Sequence, residues 1–202
     1  MILDHLVVCG TDRDAACAHV EDALGVSMQP GGEHAVFHTH NTLLGLEDGI
    51  YLEAISANPA APAPQRPRWF DLDRFQGPPR LSNWVCAVPN MDTALAQLPD
   101  GTGAPVELQR GDLRWRMAVS PEGTTPFDCL FPAIIQWSGG AHPAKTLTQV
   151  GVRLRRLTLA HPDGGALAQA LGEHLNDDRI AVEKGPIAMN AVFETPAGER
   201  HL

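Results

Sequence analysis

At 202 residues and 44% apolar composition, the chain can bury an ordinary core as one domain or as two small, similar halves. With 15 Lys and Arg against 24 Asp and Glu the formal charge is -9, which excludes phosphate-backbone attraction, so no nucleic acid and no anionic membrane are expected as partners. Four cysteines without C-x-x-C spacing, no export leader, and no apolar run near the roughly 18 residues of a membrane span point to a reducing, cytoplasmic setting.

In chain order, residues 2–9 (ILDHLVVC) are β-branched and apolar enough for a buried strand, interrupted by His5. A helix is predicted over 12–24. Thr11 or Asp12 caps it, Ala16, Val20 and Leu24 form its apolar stripe, and Gly25 stands at a left-handed C-terminal cap. Strands over 42–46 and 50–56 are joined by Glu47-Asp48-Gly49, an Asp-Gly hairpin signal. With the strand after the helix, this gives β-α-β-β-β for residues 1–56. Residues 57–80 form a connector: 57–68 shift to Ala and Pro, an extended spacer, and 69–75 form a short docking helix anchored by Trp69, Phe70, Leu72 and Phe75.

From Leu81 the pattern restarts. LSNWVCAVPNMD lies on LDHLVVCGTDRD at a constant offset, placing Asn83 on His5, Val85 on Val7 and Asp92 on Asp14. A short helix carrying Ala94, Leu95 and Leu98 stops at Pro99 and Gly101. Strands over 106–109, 113–119 and 128–137 complete a second β-α-β-β-β for residues 81–138. Residues 139–202 open with a Gly/His/Pro/Thr link and read as a partial third βαββ module, with a helix capped by Asp163 and no evident fourth strand. The fold class expected is therefore α+β, with paired βαβββ modules forming a cupped mixed sheet.

Each module covers one sheet face with its helix and leaves the other bare, and two side by side close a cup. On that geometry His5 and Glu53 meet Asn83 and Gln136 in the middle. Imidazole and carboxylate on neighbouring strands suit Zn, Ni, Mn or Fe(II), whose open positions accept a substrate's oxygens. Asn83 and Gln136 offer only neutral oxygens, so a third strong ligand must come from His34, His38, His40 or His142.

The repeated modules, His5 in the first strand and Tyr51-Leu52-Glu53 closing the fourth resemble the vicinal oxygen chelate superfamily. Gly31-Gly32-x-His34, Thr39-x-Asn41 and Tyr51-Leu52-Glu53 resemble more narrowly the glyoxalase-like domain family within it. The resemblance covers residues 3–200 and implies a divalent metal held by His5 and Glu53. The second module departs from it with Asn83 and Gln136, and His38 stands where the narrower family has Gly. It supplies no single reaction.

A buried imidazole needs a hydrogen-bond partner, so His5 is assigned to the pocket rather than to a plain core. Glu53 joins it as metal ligand and proton shuttle. His34, His40, Asn83 and Gln136 are the substrate-binding candidates, Thr39 and Asn41 read as turn residues, and His142 lies in a link able to reach over the cup mouth. Nucleotide and hydrolase-elbow motifs are absent. Two functions follow as expectations: a metal-assisted isomerase, lyase or dioxygenase acting on a small oxygen-bearing metabolite, or a metal-free small-molecule binder of the bleomycin-resistance kind. A homodimer is the one further partner that would help complete the cup.

Overall fold

A computed structural model describes all 202 residues. The first module runs β1 (Ile2–Cys9), α1 (Arg13–Leu24), β2 (Gln29–His34), β3 (Thr39–Gly45) and β4 (Tyr51–Ala57). The second runs β5 (Arg80–Ala87), α2 (Met91–Leu95), β6 (Ala104–Arg110), β7 (Leu113–Val119) and β8 (Ala133–Ser138). All eight strands join one curled mixed sheet in the order β2-β3-β4-β1-β5-β8-β7-β6. Within each module the first strand runs parallel to the fourth, and β1 and β5 meet antiparallel at the centre, so the halves are related by a pseudo-two-fold.

The sequence sets the ends of α1. The Asp12 side chain accepts the Ala15 N–H, and Gly25, at φ 70°, donates its own N–H to the Glu21 carbonyl, a left-handed cap glycine adopts without strain. Ala16, Val20 and Leu24 face inward and cover the convex side of the first module. In the second module α2 spans only Met91–Leu95, too short to cover its half. The remaining convex surface is closed by a four-stranded unit made of β9 (Arg153–His161), α3 (Gly164–Gly172), β10 (Ile180–Lys184), β11 (Ala188–Thr195) and β12 (Gly198–His201). Its Leu154, Leu157, Leu159, Ala191 and Phe193 belong to one continuous core with Leu6, Trp84 and Ile134.

Three local differences from the sequence reading have physical causes. The C-terminal unit keeps the β-α-β-β string but pairs it as β10-β9-β11-β12, an order different from either module, and adds the short polar hairpin strand β12. The strand expected over 128–137 begins only at Ala133, because Phe127, Asp128 and Cys129 all take left-handed φ (56°, 53° and 69°), which a strand cannot accommodate. The connector's docking helix is a single tight turn over Trp69–Asp71, with Phe70 and Asp71 at positive φ. That turn sets Trp69, Phe70 and Leu72 into the concave side, where they pack with Val7, Ile55 and Val85. No helix is long and apolar enough to cross a membrane.

Candidate functional site

The site begins with a bulge in β1. Leu3 pairs with Cys86 and His5 with Val85, so Asp4 is an extra residue with no partner on β5. The alternation of faces therefore resets. Leu3, Leu6 and Val8 join the convex core, whereas His5, Val7 and Cys9 face the cup. Asp4 and His5, neighbours that a regular strand would point apart, come into contact, with His5 Nδ1 2.6 Å from Asp4 Oδ1. The second module carries the same device. Val7 pairs with Asn83 and Val8 with Leu81, leaving Ser82 as the extra residue, and Asn83 Nδ2 donates to Ser82 Oγ at 3.3 Å.

Opposite β1, Glu53 on β4 places Oε2 3.6 Å from His5 Nε2. Its other oxygen, Oε1, accepts a short hydrogen bond from Asn41 Nδ2. Asn41 Oδ1 in turn accepts from the Gly32 N–H at 2.8 Å and from Arg110 Nη1 at 3.2 Å. Arg110 reaches across from β6, and the same nitrogen donates to His34 Nε2 at 3.2 Å. With Nε2 accepting, His34 carries its proton on Nδ1, which donates to Thr39 Oγ1 at 2.9 Å. The two glycines make room for this crossing. A Cβ on Gly31 would fall on Asn41 Oδ1, and one on Gly32 would lie 2.7 Å from Arg110 Cδ. Tyr51 stacks on the His5 ring at 4.3 Å. The Gly-Gly-x-His, Thr-x-Asn and Tyr-Leu-Glu segments are thus parts of one hydrogen-bonded network, in which Asn41 and Thr39 are members rather than turn residues.

Behind His5, Asp4 is enclosed. Its Oδ2 accepts from Trp137 Nε1 at 2.8 Å and from His142 Nε2 at 3.0 Å. His142 Nδ1 accepts the Ala144 N–H at 3.2 Å, which leaves Nε2 as the donor. Burial works to raise the Asp4 carboxyl, but the hydrogen bonds from His142 and His5 overcome it and hold it well below the usual carboxylate range. Burial likewise opposes charge on His5, yet Asp4 and Glu53 together raise its pKa to about 9. Glu53 is lowered: burial is outweighed by its ion pair with His5 and by the hydrogen bond from Asn41. For His34 burial dominates and depresses it to about 4, so it stays neutral. The charges along the chain alternate: Asp4 negative, His5 positive, Glu53 negative, Arg110 positive.

These shifts set a pH profile. A histidine raised in the folded state adds stability fully below the unfolded pKa of about 6.5 and loses it as pH rises through 9, which is the case of His5. His34 is depressed, so below about 6.5 the unfolded chain takes up its proton first and stability falls toward pH 4. Lowered Asp4 and Glu53 add to the same acid-side loss. Urea midpoints measured from pH 4 to 10 are expected to peak near 6.5, and the stability gap between wild type and His5→Gln should close as pH rises through 9. A gap that stays constant with pH would contradict an imidazolium at His5.

The sequence-selected residues divide. His5, Glu53 and His34 line one small concave cavity with Asn41, Tyr51, Arg110 and the indoles of Trp69, Trp115 and Trp137. Three candidates lie outside it. His40 is on the opposite face of β3 from Asn41, where Nε2 meets Ser56 Oγ at 2.9 Å. Gln136 faces the convex side and accepts the Met91 N–H at 2.8 Å, capping α2. The register shows why: Glu53 pairs with Val7, and the repeat partner of Val7, Val85, pairs with Ala133, so the second-module position equivalent to Glu53 is Ala133. Asn83 is turned from the cavity to the Phe70 carbonyl, at 3.4 Å, and opens instead on a larger cavity of about 560 Å³ beyond Phe70.

Asp4, Arg110 and Trp137 went unselected in the sequence. Asp4 had a signal, since a carboxylate beside a buried histidine in an apolar strand is as costly as the histidine itself. Arg110 had none, because it joins the network only through the curl of the sheet.

Against the metal expectation, the donor set is short. No group of three or more His, Cys, Asp or Glu side chains is placed to hold an ion. His5 Nε2 and Glu53 Oε2 are two donors; His34 Nε2 and Asn41 Oδ1 are both occupied by Arg110, whose cation further disfavours an ion beside it. The residues present do not make up a transition-metal site.

The cavity beside His5 and Glu53 has about 30 Å³ of open space, room for one or two waters as it stands. Among solved structures, a hypothetical protein from Staphylococcus aureus is similar over 93% of this chain and 88% of its own, at 12% identity and a TM-score of 0.59, a likeness of fold. A single-site variant of Streptomyces coelicolor methylmalonyl-CoA epimerase in complex with 2-nitronate-propionyl-CoA is similar over 70% of this chain and 99% of its own, at 14% identity and a TM-score of 0.45. A methylmalonyl-CoA epimerase in complex with methylmalonyl-CoA and NH4+ is similar over 70% and 96%, with the same identity and score, 14% and 0.45. No curated protein matches the sequence. The glyoxalase-like domain profile matches residues 3–175. With paired βαβββ modules, a cupped sheet and that match over most of its length, the chain belongs to the glyoxalase-like domain family.

Proposed function

We propose that this protein is an isomerase-type enzyme that moves a proton on a small carbonyl-bearing metabolite. The observation that supports this is the contact of His5 Nε2 with Glu53 Oε2 at 3.6 Å on the wall of a buried cavity, each braced from behind, His5 by Asp4 and Glu53 by Asn41. Glu53, ionised and fixed, takes a proton from carbon. The C–H bond electrons pass to the carbonyl oxygen as an enolate, and the His5 Nε2–H stabilises that oxygen. Return of the proton to the other face or the neighbouring atom completes the isomerisation. Incubation with small 2-oxo and 2-hydroxy carbonyl compounds in D2O, followed by proton NMR, tests the reading. Deuterium entering the position next to the carbonyl, above the rate without protein, is expected; none across the panel would overturn it.

No step here runs through a metal. Chain purified without chelator and offered Zn, Ni, Mn and Fe(II) is expected to hold well under one ion per chain, with no change in His5→Ala. Stoichiometric uptake lost in that variant would restore the metal-assisted reading. A second function, a metal-free binder, draws support from the three indoles of the cavity wall, Trp69, Trp115 and Trp137. It would be recognised by thermal stabilisation with aromatic compounds and no exchange chemistry.

A further inference from the structure

Two donors on residues that line the cavity are left over by the proton-moving pair. The Trp69 indole is buried, lines the cavity, and its Nε1–H has no hydrogen-bond partner in the protein. Native interiors seldom leave such a donor unmatched. Arg110 uses one nitrogen, Nη1, and only on neutral acceptors, His34 Nε2 and Asn41 Oδ1, each at 3.2 Å. Its other nitrogens donate to nothing in the protein. Three other partly covered arginines are matched by a carboxylate, Arg68 with Asp73, Arg116 with Asp92 and Arg179 with Asp177, whereas Arg66 lies over the Phe37 ring and Arg200 bonds the Glu199 carbonyl. Arg110 is half-buried, lines the cavity, and has no such ion pair. Gly32 is bare where Arg110 crosses, so the chain makes space to hold a guanidinium there.

A planar cation with a free edge and an unmatched indole N–H flank the same ring. His34 touches Arg110 through Nε2 and meets Trp69 edge-on at 4.9 Å between centroids. Together they present hydrogen-bond donors and one positive charge, the complement of a carboxylate with a second oxygen on the adjacent carbon. We propose that the substrate is a small 2-oxo or 2-hydroxy carboxylate, admitted as the cavity walls give way, its carboxylate held by the free edge of Arg110 and its second oxygen by Trp69 Nε1–H. The assignment rests on the proton-moving reading for its chemistry, while the binding claim stands on these two donors alone.

Calorimetric titration of wild type, Arg110→Gln, Arg110→Lys and Trp69→Phe with pyruvate and glycolate, and with pyruvamide and glycolamide as uncharged counterparts, tests it. Wild type is expected to bind the acids at least tenfold more tightly than the amides. Arg110→Gln should weaken the acids about 10- to 100-fold and leave the amides unchanged. Arg110→Lys, which keeps the charge and loses the fork, should fall between. Trp69→Phe, which keeps the wall and removes the N–H, should weaken acids and amides alike by several-fold. Equal affinity for acid and amide, unchanged acid binding in a folded Arg110→Gln, or no acid binding by wild type would each overturn the assignment. Acid binding without deuterium exchange would sink the proton-moving reading and leave this one standing. Exchange on neutral ketones equal to that on 2-oxo acids would do the reverse.

Discussion

Glu53→Gln is expected to lower deuterium exchange by about 10²- to 10⁴-fold, the range general-base catalysis contributes, while the fold survives. The amide retains an oxygen for the Asn41 Nδ2–H, so the bond that orients position 53 persists. What it loses is the lone pair that takes the proton, together with one of the two counter-charges of His5. Asp4 remains as the other, bonded at 2.6 Å, so the imidazolium keeps a partner. Carboxylate binding should hold or tighten slightly, since a negative charge is removed from the cavity. Exchange NMR with a thermal melt on the same sample decides the matter. A folded Glu53→Gln protein with wild-type exchange would remove Glu53 from the chemistry altogether.

Asp4→Ala should produce the largest loss of stability, about 3–5 kcal/mol, the range seen when one member of a buried charged pair is removed. Three donors converge on this one carboxylate: His5 Nδ1 at 2.6 Å, Trp137 Nε1 at 2.8 Å and His142 Nε2 at 3.0 Å. All three would be left facing an apolar void, with a charged ring among them. They also come from three places, the strand that begins the chain, the last strand of the second module and the link beyond it, so their loss loosens the closure between modules. Urea unfolding reports the change directly. Asp14→Ala is the contrast: its carboxylate pairs with Arg13 on an exposed helix surface, and its replacement should leave the midpoint where it was. Equal midpoints for the two variants would show that the Asp4 cluster contributes nothing beyond its packing.

Local physics wrote much of the fold plainly into the sequence. The ends of α1 follow from Asp12 and Gly25, the turn over Glu47–Gly49 from left-handed Asp48 and Gly49, and the modular duplication from the match of the first strands. The site was half legible. His5 and Glu53 stand out because each is a polar group in an apolar strand. Which face of β3 looks into the cup depends on register, and that follows from the turn before it. His38 sits at φ 50° in that turn, so the strand starts at Thr39, and Asn41, not His40, shares the cup with Glu53. Gln136 failed for the same reason in β8, where three left-handed residues displace the strand's start. Arg110 depends on the sheet curling until β6 reaches β2, a property of the whole assembly that no local window contains.

The paired bulges also bear on design. Asp4 and Ser82 are extra residues at matching places in two copies of one backbone, yet only the first is followed by an ionisable side chain. The contact between neighbouring side chains is therefore a property the scaffold offers twice, filled by a charged pair at Asp4 and His5 and by a neutral hydrogen bond at Ser82 and Asn83. Writing Asp-His into positions 82 and 83 would need no new backbone geometry. It would need the Phe70 carbonyl moved from Asn83, and partners for the new pair in place of the Trp137, His142 and Glu53 that hold Asp4 and His5.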